Sequence, residues 1–167
     1  RYMAKAVKNI KICESPKIIK DRLRAVGIKP INNIVDITNY ILIELGQPMH
    51  AFDYEKIAGH RIVVRRAEEG ETITTLDNTT HNLDNDVLVI ADAEKPLAVA
   101  GIMGGLDSGI SDDTHTIIFE SAKFARDNVR RTSRKLNLKS DSSARFEKGI
   151  DFLSQAIAID RALTLIQ

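Results

Sequence analysis

Polar side chains interrupt an otherwise apolar stretch of the chain between residues 34 and 52. Thr38 and Asn39 lie inside the apolar run that continues to Leu45, and His50 follows in a Gln-Pro-Met-His segment. A buried amide needs hydrogen-bond partners, and a turn that contains proline can hold an imidazole near the end of a helix. We therefore expect a buried Asn39 and a His50 in a turn. They either satisfy each other and the backbone, or form a polar site that orients a water, an amine or a hydroxyl.

Glu120 is a further candidate for chemistry, because it lies in the strand-like segment TIIFESA. Alternation along a strand places Glu120 on the same face as Thr116 and Ile118, so the carboxylate is expected to be buried with Ile118. A buried carboxylate is costly unless it is paired. Two interpretations are open: a structural ion pair, with Arg145 as one possible partner, or a carboxylate that binds a ligand.

A glycine cluster and a basic helix face carry weaker signals. The segment GIMGG, Gly101 to Gly105, precedes a turn and not a helix, so it is not a dinucleotide-binding fingerprint. It indicates either close packing or a place where a ligand approaches bare backbone. The basic stripe of the helix predicted over 125–136 is typical of a solvated face or of a phosphate-backbone contact. The stripe contains Arg126, Arg130 and Arg134.

The sequence disfavours several other chemistries and settings. It has no G-x-S-x-G or phosphate-loop motif, and its four histidines lack the i, i+4 spacing of a helical zinc site, so we expect no metal. With 24 basic and 23 acidic residues, any nucleic-acid contact must be local. The single cysteine predicts a cytoplasmic protein, and the absence of long apolar stretches predicts no membrane association. The chain lacks an initiator Met and is expected to be a segment of a longer one.

The elements that must position these residues indicate an α+β fold. A strand over 3–12 precedes a helix with Ser15 as N-cap, Pro16 as first helical residue and Gly27 as stop. A second helix, buried on most sides, is predicted over 34–45. Strands then follow one another without helices between them, which favours a mixed or antiparallel sheet core, sandwich-like and flanked by helices. The predicted strands are 61–67, 71–76, 86–93, 96–103 and 114–122, and the closing helices are 125–136 and 153–167.

Four blocks of the sequence, in this order and at these separations, resemble the B3/B4 editing module of the bacterial phenylalanyl-tRNA synthetase β-subunit. The blocks are INNIVDITNYILIELGQPMHAFD, VAGIMGGLDSGI, IIFESAKF and LKSDSSARFEKGID. The resemblance covers essentially the whole chain and implies one B3/B4-type module over 1–167. Its helix-rich first part would span 1–59, its strand-rich part 60–124 and its C-terminal helical part 125–167.

This resemblance implies a hydrolase that removes tyrosine wrongly attached to tRNA(Phe). A pocket built for phenylalanine rejects an analogue with an added hydroxyl by only about 100-fold, so a second site that binds the hydroxyl supplies the missing selectivity. The implied partners are the acceptor end of tRNA(Phe), the synthetase α-subunit and the rest of the β-subunit. The module would use no cofactor, because ATP and Mg²⁺ belong to the aminoacylation site of the parent enzyme. The alternatives are a non-catalytic domain that binds amino acids or tRNA, and a structural module of the same subunit.

The resemblance also assigns roles to residues of this chain. His50, Asn39 and Thr38 would bind the aminoacyl end and orient the attacking water, while Glu120 would accept a hydrogen bond from the tyrosine hydroxyl. Bulk at Gly101 is expected to exclude the substrate. The residues that line the substrate would be Ala100, Gly101, Gly104, Ser140 and Ser142. At Ser140 and Ser142 the family's more familiar forms carry a threonine and an alanine.

Overall fold

The structure, a computed structural model, describes all 167 residues, Arg1–Gln167. The chain forms two compact units, each assembled from segments that are distant in sequence. The first unit comprises Arg1–Asp53, Ile110–Lys123 and Ile150–Gln167. The second comprises Tyr54–Gly109 and Phe124–Gly149. None of the helices has the length and apolar character needed to cross a membrane.

Nine strands and five helices make up the regular structure, and all strand pairs are antiparallel. In chain order they are β1 (Tyr2–Lys8), α1 (Lys17–Ala25), α2 (Asn33–Leu45), β2 (Met49–Asp53), β3 (Val63–Arg66), β4 (Thr72–Thr74), β5 (Thr80–Asn82), β6 (Leu88–Ala91), β7 (Pro96–Val99), β8 (Met103–Gly104), β9 (Thr116–Ala122), α3 (Arg126–Lys135), α4 (Asp141–Lys148) and α5 (Ser154–Leu165). The predicted α+β class with antiparallel sheet is therefore confirmed. The sequence interpretation missed β2, β5, β8 and α4.

The first unit is built on a three-stranded sheet in the order β1-β9-β2. One face of this sheet packs against helices: Ala51 and Phe119 share a buried core with Ile37 and Ile41 of α2 and Ala158 of α5. Because side chains alternate along a strand, the residues next to Ala51 and Phe119 point to the opposite face. That opposite face carries the candidate site residues of β2 and β9.

The connection from α2 to β2 is fixed by its own sequence. Gly46 ends α2 in the left-handed conformation, with φ of 68°, which glycine adopts without steric cost. Gln47 is fully buried, and its amide nitrogen donates to the carbonyls of Pro48 and Ala122, both at 2.9 Å. Its amide oxygen accepts a hydrogen bond from Gln155 at 2.9 Å. Gln47 thereby ties the start of β2 to the end of β9.

Helix α1 begins differently from the prediction. Pro16 is the N-cap and not the first helical residue, and no side chain caps the helix. Ser15 was predicted as the N-cap, but its hydroxyl donates to Oδ2 of Asp36 at 2.6 Å. Helix α1 begins at Lys17 with Pro16 as its N-cap, so Ser15 lies one residue before the capping position. The predicted stop at Gly27 is confirmed, since this residue follows the helix with φ of +80°.

The second unit contains a four-stranded sheet in the order β3-β6-β7-β8 and a separate hairpin formed by β4 and β5. Helices α3 and α4 belong to the same unit and pack against each other. Two short 3-10 turns, Tyr54–Lys56 and Ala58–His60, lead into β3. This unit carries the glycine cluster, the two serines and the basic helix face identified in the sequence.

Candidate functional site

His50 and Glu120 are direct partners across the β2–β9 pair. Both side chains point to the sheet face opposite α2 and α5, since Ala51 and Phe119 occupy the helix-covered face. The prediction that His50 lies in a turn is wrong: α2 ends before Gly46, Gln47 and Pro48 make the link, and His50 is already within β2. The strand backbone therefore holds the imidazole and the carboxylate side by side.

Glu120 is buried, with only 8% of its surface exposed, as the strand alternation predicted. Its Oε2 accepts a hydrogen bond from the hydroxyl of Tyr2 at 2.9 Å. Of the two interpretations left open, the ion pair is not formed: Glu120 has no cationic partner, and the Arg145 guanidinium lies 3.9 Å from Asp141 of its own helix. Burial raises the pKa of Glu120 to about 7, and the hydrogen bond from Tyr2 opposes this rise. The carboxyl group is therefore stabilised by a neutral phenol and by no cation.

The His50 imidazole has an unpaired nitrogen. Part of the residue remains exposed, but its Nε2 atom is buried and has no hydrogen-bond partner. The ring packs edge-to-face on Phe52, with the centroids 4.5 Å apart. Burial lowers the pKa of His50 to about 4, so the imidazole is neutral near pH 7. A neutral imidazole with a free nitrogen can hold a water molecule.

Thr38 and Asn39 lie on α2 and make no hydrogen bond to His50 or Glu120. Thr38 is buried, and its hydroxyl donates to the Val35 carbonyl at 2.7 Å, which leaves it able to accept a bond. The predicted burial of Asn39 is wrong, because this residue is only partly buried. Asn39 belongs to the i, i+4 row of the helix with Val35 and Ile43, which is the least buried row of its central turns.

Gly101 is required by the packing of the second unit. It lies in a turn closed by the Ile102 N–H, which donates to the Val99 carbonyl at 3.0 Å, and its φ is +73°. A Cβ atom at this position would lie 2.7 Å from Cδ2 of Phe124 and 3.2 Å from Cδ2 of Phe146. Both aromatic rings are buried. The close-packing interpretation is therefore confirmed for Gly101, and its contact with substrate stays a prediction.

Ala100 and Gly104 flank this turn and are both buried. The Ala100 N–H donates to the Leu88 carbonyl at 3.0 Å, and Gly104 pairs with Ala98 across the β7–β8 ladder. Backbone hydrogen bonds therefore hold both residues in the sheet, and their contact with substrate stays a prediction.

Ser140 caps helix α4. Its side chain accepts a hydrogen bond from the Ser143 N–H at 3.1 Å and donates to the Ile102 carbonyl at 2.5 Å. The cap therefore ties the start of α4 to the turn that contains Gly101. Ser142 lies in the first turn of α4 and is partly buried. The structure gives Ser140 an architectural role, while the substrate contacts of both serines stay predictions.

The arginines of α3 lie on its solvent-exposed side. Arg126, Arg130 and Arg134 are all exposed, and Nε of Arg126 donates to the Glu147 carbonyl at 3.3 Å. The buried side of α3 consists of Asn128, Val129, Thr132 and Ser133. The stripe is therefore a charged outer face whose contact with phosphate stays a prediction. No group of three His, Cys, Asp or Glu side chains is arranged to hold a metal ion.

Sequence reasoning missed Tyr2, the residue that contacts Glu120 directly. The two residues are 118 positions apart, and they meet because β1 pairs with β9 in a register that places Tyr2 opposite Ala122. Nothing in the sequence near Tyr2 signals this register. Gln47 was also missed as an anchor of β2, although a glutamine directly after a helix-ending glycine and before a proline offered a local signal.

Comparison with known proteins gives one consistent result. Residues 1–167 match the B3/4 domain family over the whole chain. The phenylalanine–tRNA ligase β-subunit of Clostridium acetobutylicum is 53% identical over 167 residues, which are 100% of this chain and 21% of that protein. The β-subunit from Bacillus cereus is 55% identical over 165 residues, covering 99% of this chain and 20% of that protein. The chain thus spans about a fifth of the length of these curated relatives.

A solved structure supports the same fold. An N-terminal fragment of the phenylalanyl-tRNA synthetase β-subunit from Pyrococcus horikoshii aligns with a TM-score of 0.62 at 14% identity, over 99% of this chain and 44% of that chain. At this identity the likeness concerns the fold alone. The family match over every residue and the curated relatives at about half identity decide the assignment: this chain belongs to the B3/4 domain family found in phenylalanine–tRNA ligase β-subunits.

Proposed function

We propose that this chain is the editing domain of a phenylalanine–tRNA ligase and hydrolyses tyrosyl-tRNA(Phe). Its partners would be the acceptor end of tRNA(Phe), the α-subunit and the rest of the β-subunit, in the cytoplasm. The observation that carries the proposal is the neighbouring pair on β2 and β9: a buried Glu120 carboxyl without a cation, and a His50 Nε2 without a partner. Buried groups left in this state are unfavourable for stability alone and are characteristic of functional sites.

Glu120 has the chemistry needed to select tyrosine. Tyr2 occupies Oε2, and a carboxylate has room for further donors. A phenol hydroxyl that donates to an ionised carboxylate gains about 1.5 to 3 kcal/mol, whereas phenylalanine offers no donor. Selection would then depend on the added hydroxyl and would not require exclusion by shape.

His50 is better suited to position water than to remove a proton from it. A base is most effective when its pKa lies near the working pH, and burial keeps the pKa of His50 at about 4. Its free Nε2 would accept a hydrogen bond from a water molecule that attacks the ester carbonyl carbon. The bond between that carbon and the ribose oxygen then breaks, and the proton released by the water passes to the ribose oxygen, assisted by the neighbouring ribose hydroxyl. No covalent intermediate with the protein is needed.

The test is deacylation of tyrosyl-tRNA(Phe) and phenylalanyl-tRNA(Phe) by the complete ligase that carries this domain. The native enzyme should hydrolyse the tyrosyl ester selectively, and Glu120→Ala should reduce the ratio of the two rates by about 10- to 100-fold, which corresponds to the loss of one charge-assisted hydrogen bond. Glu94→Ala is the matched control, because Glu94 is an exposed glutamate of the second unit.

His50→Ala separates positioning from selection in the same assay. It should slow hydrolysis of the tyrosyl ester. The ratio of the hydrolysis rates of the two esters should stay the same, because Glu120 is still present to select the tyrosyl ester. Complete loss of hydrolysis with unchanged tRNA binding would show that His50 does more than position the water molecule. If the native enzyme hydrolyses neither ester, the non-catalytic or structural alternative holds.

A further inference from the structure

Tyr2 is the one side chain that contacts the Glu120 carboxyl group through a hydrogen bond. Its hydroxyl donates to Oε2 at 2.9 Å in a partly buried position. Tyr2 is the first residue of β1 and pairs with Ala122, so it lies diagonally beside Glu120 on the same face of the sheet. Burial and then the nearby Glu120 raise the pKa of Tyr2, so the phenol keeps its proton and acts as a donor.

We propose that Tyr2 is a positioning and specificity-determining residue: it holds Glu120 by Oε2 and leaves Oε1 as the acceptor for the hydroxyl of the misattached amino acid. This inference rests on the proposed function, because it assigns a second component to the same selector. Tyr2 is not a catalytic residue, since it acts on the substrate only through Glu120.

A second residue is needed to hold the Glu120 side chain in place. A glutamate side chain has several rotatable bonds, and a selector has to be held in one orientation to discriminate by a single hydrogen bond. Tyr2 supplies the fixed donor from a neighbouring strand. Its hydroxyl also has the same chemical nature as the tyrosine hydroxyl of the substrate, so the carboxylate would hold two phenols, one on each oxygen.

The protonation of Glu120 gives the arrangement a measurable signature. A carboxylate can accept hydrogen bonds from two phenol hydroxyls, one on each oxygen, whereas a carboxylic acid carries its own proton on one of those oxygens. The other titratable groups on this face are His50 of β2, which stays neutral above about pH 4, and Lys8 of β1, which lies further along the sheet opposite Thr116. Helix α5, which also packs against β9, covers the opposite face. Glu120 is therefore the group whose ionisation controls selectivity near neutral pH.

The experiment compares Tyr2→Phe with the native complete ligase, by measuring kcat/KM for the tyrosyl and phenylalanyl esters of tRNA(Phe) from pH 6 to 9. Tyr40→Phe is the matched control: its hydroxyl accepts a hydrogen bond from Arg22 in the first unit, and its side chain packs with α1. Glu120→Ala is included to test the selector itself. A partly unfolded variant lowers both rates equally, so the ratio of the two esters reports selectivity whatever the folded fraction is.

In the native enzyme, the ratio of kcat/KM for the tyrosyl ester to kcat/KM for the phenylalanyl ester should rise with pH as Glu120 ionises. In Tyr2→Phe we expect the ratio near pH 7 to fall by about five- to tenfold, the effect of one hydrogen bond, and the midpoint of its pH profile to move upward, because the bond from Tyr2 favours the ionised carboxylate. An unchanged ratio and midpoint, or an equal loss for both esters, would overturn the role of Tyr2 while leaving the editing function intact. If Glu120→Ala keeps the native ratio, the selector itself is refuted and this inference is refuted with it.

Discussion

Glu120 and His50 are neighbours on one face of a sheet, but their ionisation makes the stability of the fold change with pH in opposite directions. The pKa of Glu120 rises from 4.5 to about 7, so its contribution to stability is full below pH 4.5 and is lost as the pH rises through 7. The pKa of His50 falls from 6.5 to about 4, so its contribution is full above pH 6.5 and is lost as the pH falls through 4. Between pH 4.5 and 6.5 the two slopes oppose each other.

This opposition predicts the effect of Glu120→Gln on the free energy of unfolding. The native chain should show little slope from this pair between pH 4.5 and 6.5. In Glu120→Gln only the His50 slope remains, so stability should rise with pH by at most about 1.4 kcal/mol per pH unit, the value for one proton. Urea unfolding across this range measures the slope. Glu94→Gln, at an exposed position, should follow the native curve, and a Glu120→Gln curve parallel to the native one would contradict the shifted pKa of Glu120.

The turn between β7 and β8 brings together several residues of the second unit that were predicted to line the substrate. Gly101 combines a positive φ with a Cβ position already occupied by Phe124 and Phe146. Ser140 reaches the same turn from the start of α4 through the Ile102 carbonyl. The glycine is therefore explained by local packing, and a bulky substitution there changes the fold of the turn before it tests the access of any substrate.

Comparison of two glycines separates backbone strain from packing. Gly70 has φ of +81° and open space around its Cβ position, whereas Gly101 has φ of +73° and a Cβ position 2.7 Å from Phe124. Gly70→Ala should therefore destabilise the chain by about 1 to 2 kcal/mol from backbone strain alone, and Gly101→Ala by a further 1 to 3 kcal/mol from overpacking, roughly. Urea unfolding of both variants measures the difference. Equal losses would show that the aromatic side chains move aside at no cost.

The elements that sequence reasoning recognised are those with a strong local signal. Helix α2 was predicted over 34–45 and spans Asn33–Leu45, because its apolar residues recur at helical spacing between an asparagine cap and a glycine stop. Strand β9 was predicted over 114–122 and spans Thr116–Ala122. The burial of Glu120 followed from its alternation with Ile118. These features depend on residues close to one another in sequence, which is why they could be predicted.

The missed elements lack such a local signal. In β2, both faces carry apolar residues, such as Ala51 and Phe52, so no alternation marks it as a strand. Helix α4 has only eight residues, too few for a helical period to stand out. The Tyr2–Glu120 contact depends on the register between the first and last strands of the chain, and register between distant strands is set by the assembled core and not by either segment alone.

At the scale of the whole molecule, charge is almost balanced, and some of the surface cations have an acidic partner. The net charge is +1, and ion pairs join Lys17 to Asp21, Arg161 to Glu44 and Lys95 to Asp107. Arg130 and Arg134 of α3 are exposed and take part in no ion pair. A nucleic acid would therefore meet unpaired positive charge on α3, although the molecule as a whole does not attract polyanions strongly.

This distribution predicts that tRNA binding depends on where a positive charge is removed and not only on how many are removed. In the complete ligase, Arg130→Ala and Arg134→Ala should each weaken binding of tRNA(Phe) at low salt and reduce the slope of log affinity against log salt by about 1, because each lost phosphate contact releases fewer counterions. Arg24→Ala removes the same charge from an exposed residue of α1 that lies 3.7 Å from Asp21 and should leave the slope unchanged. Filter binding between 50 and 200 mM salt, roughly the range over which such contacts weaken, measures both quantities. If all three variants behave alike, the basic face of α3 is a solvated surface, and the tRNA is held by other parts of the enzyme.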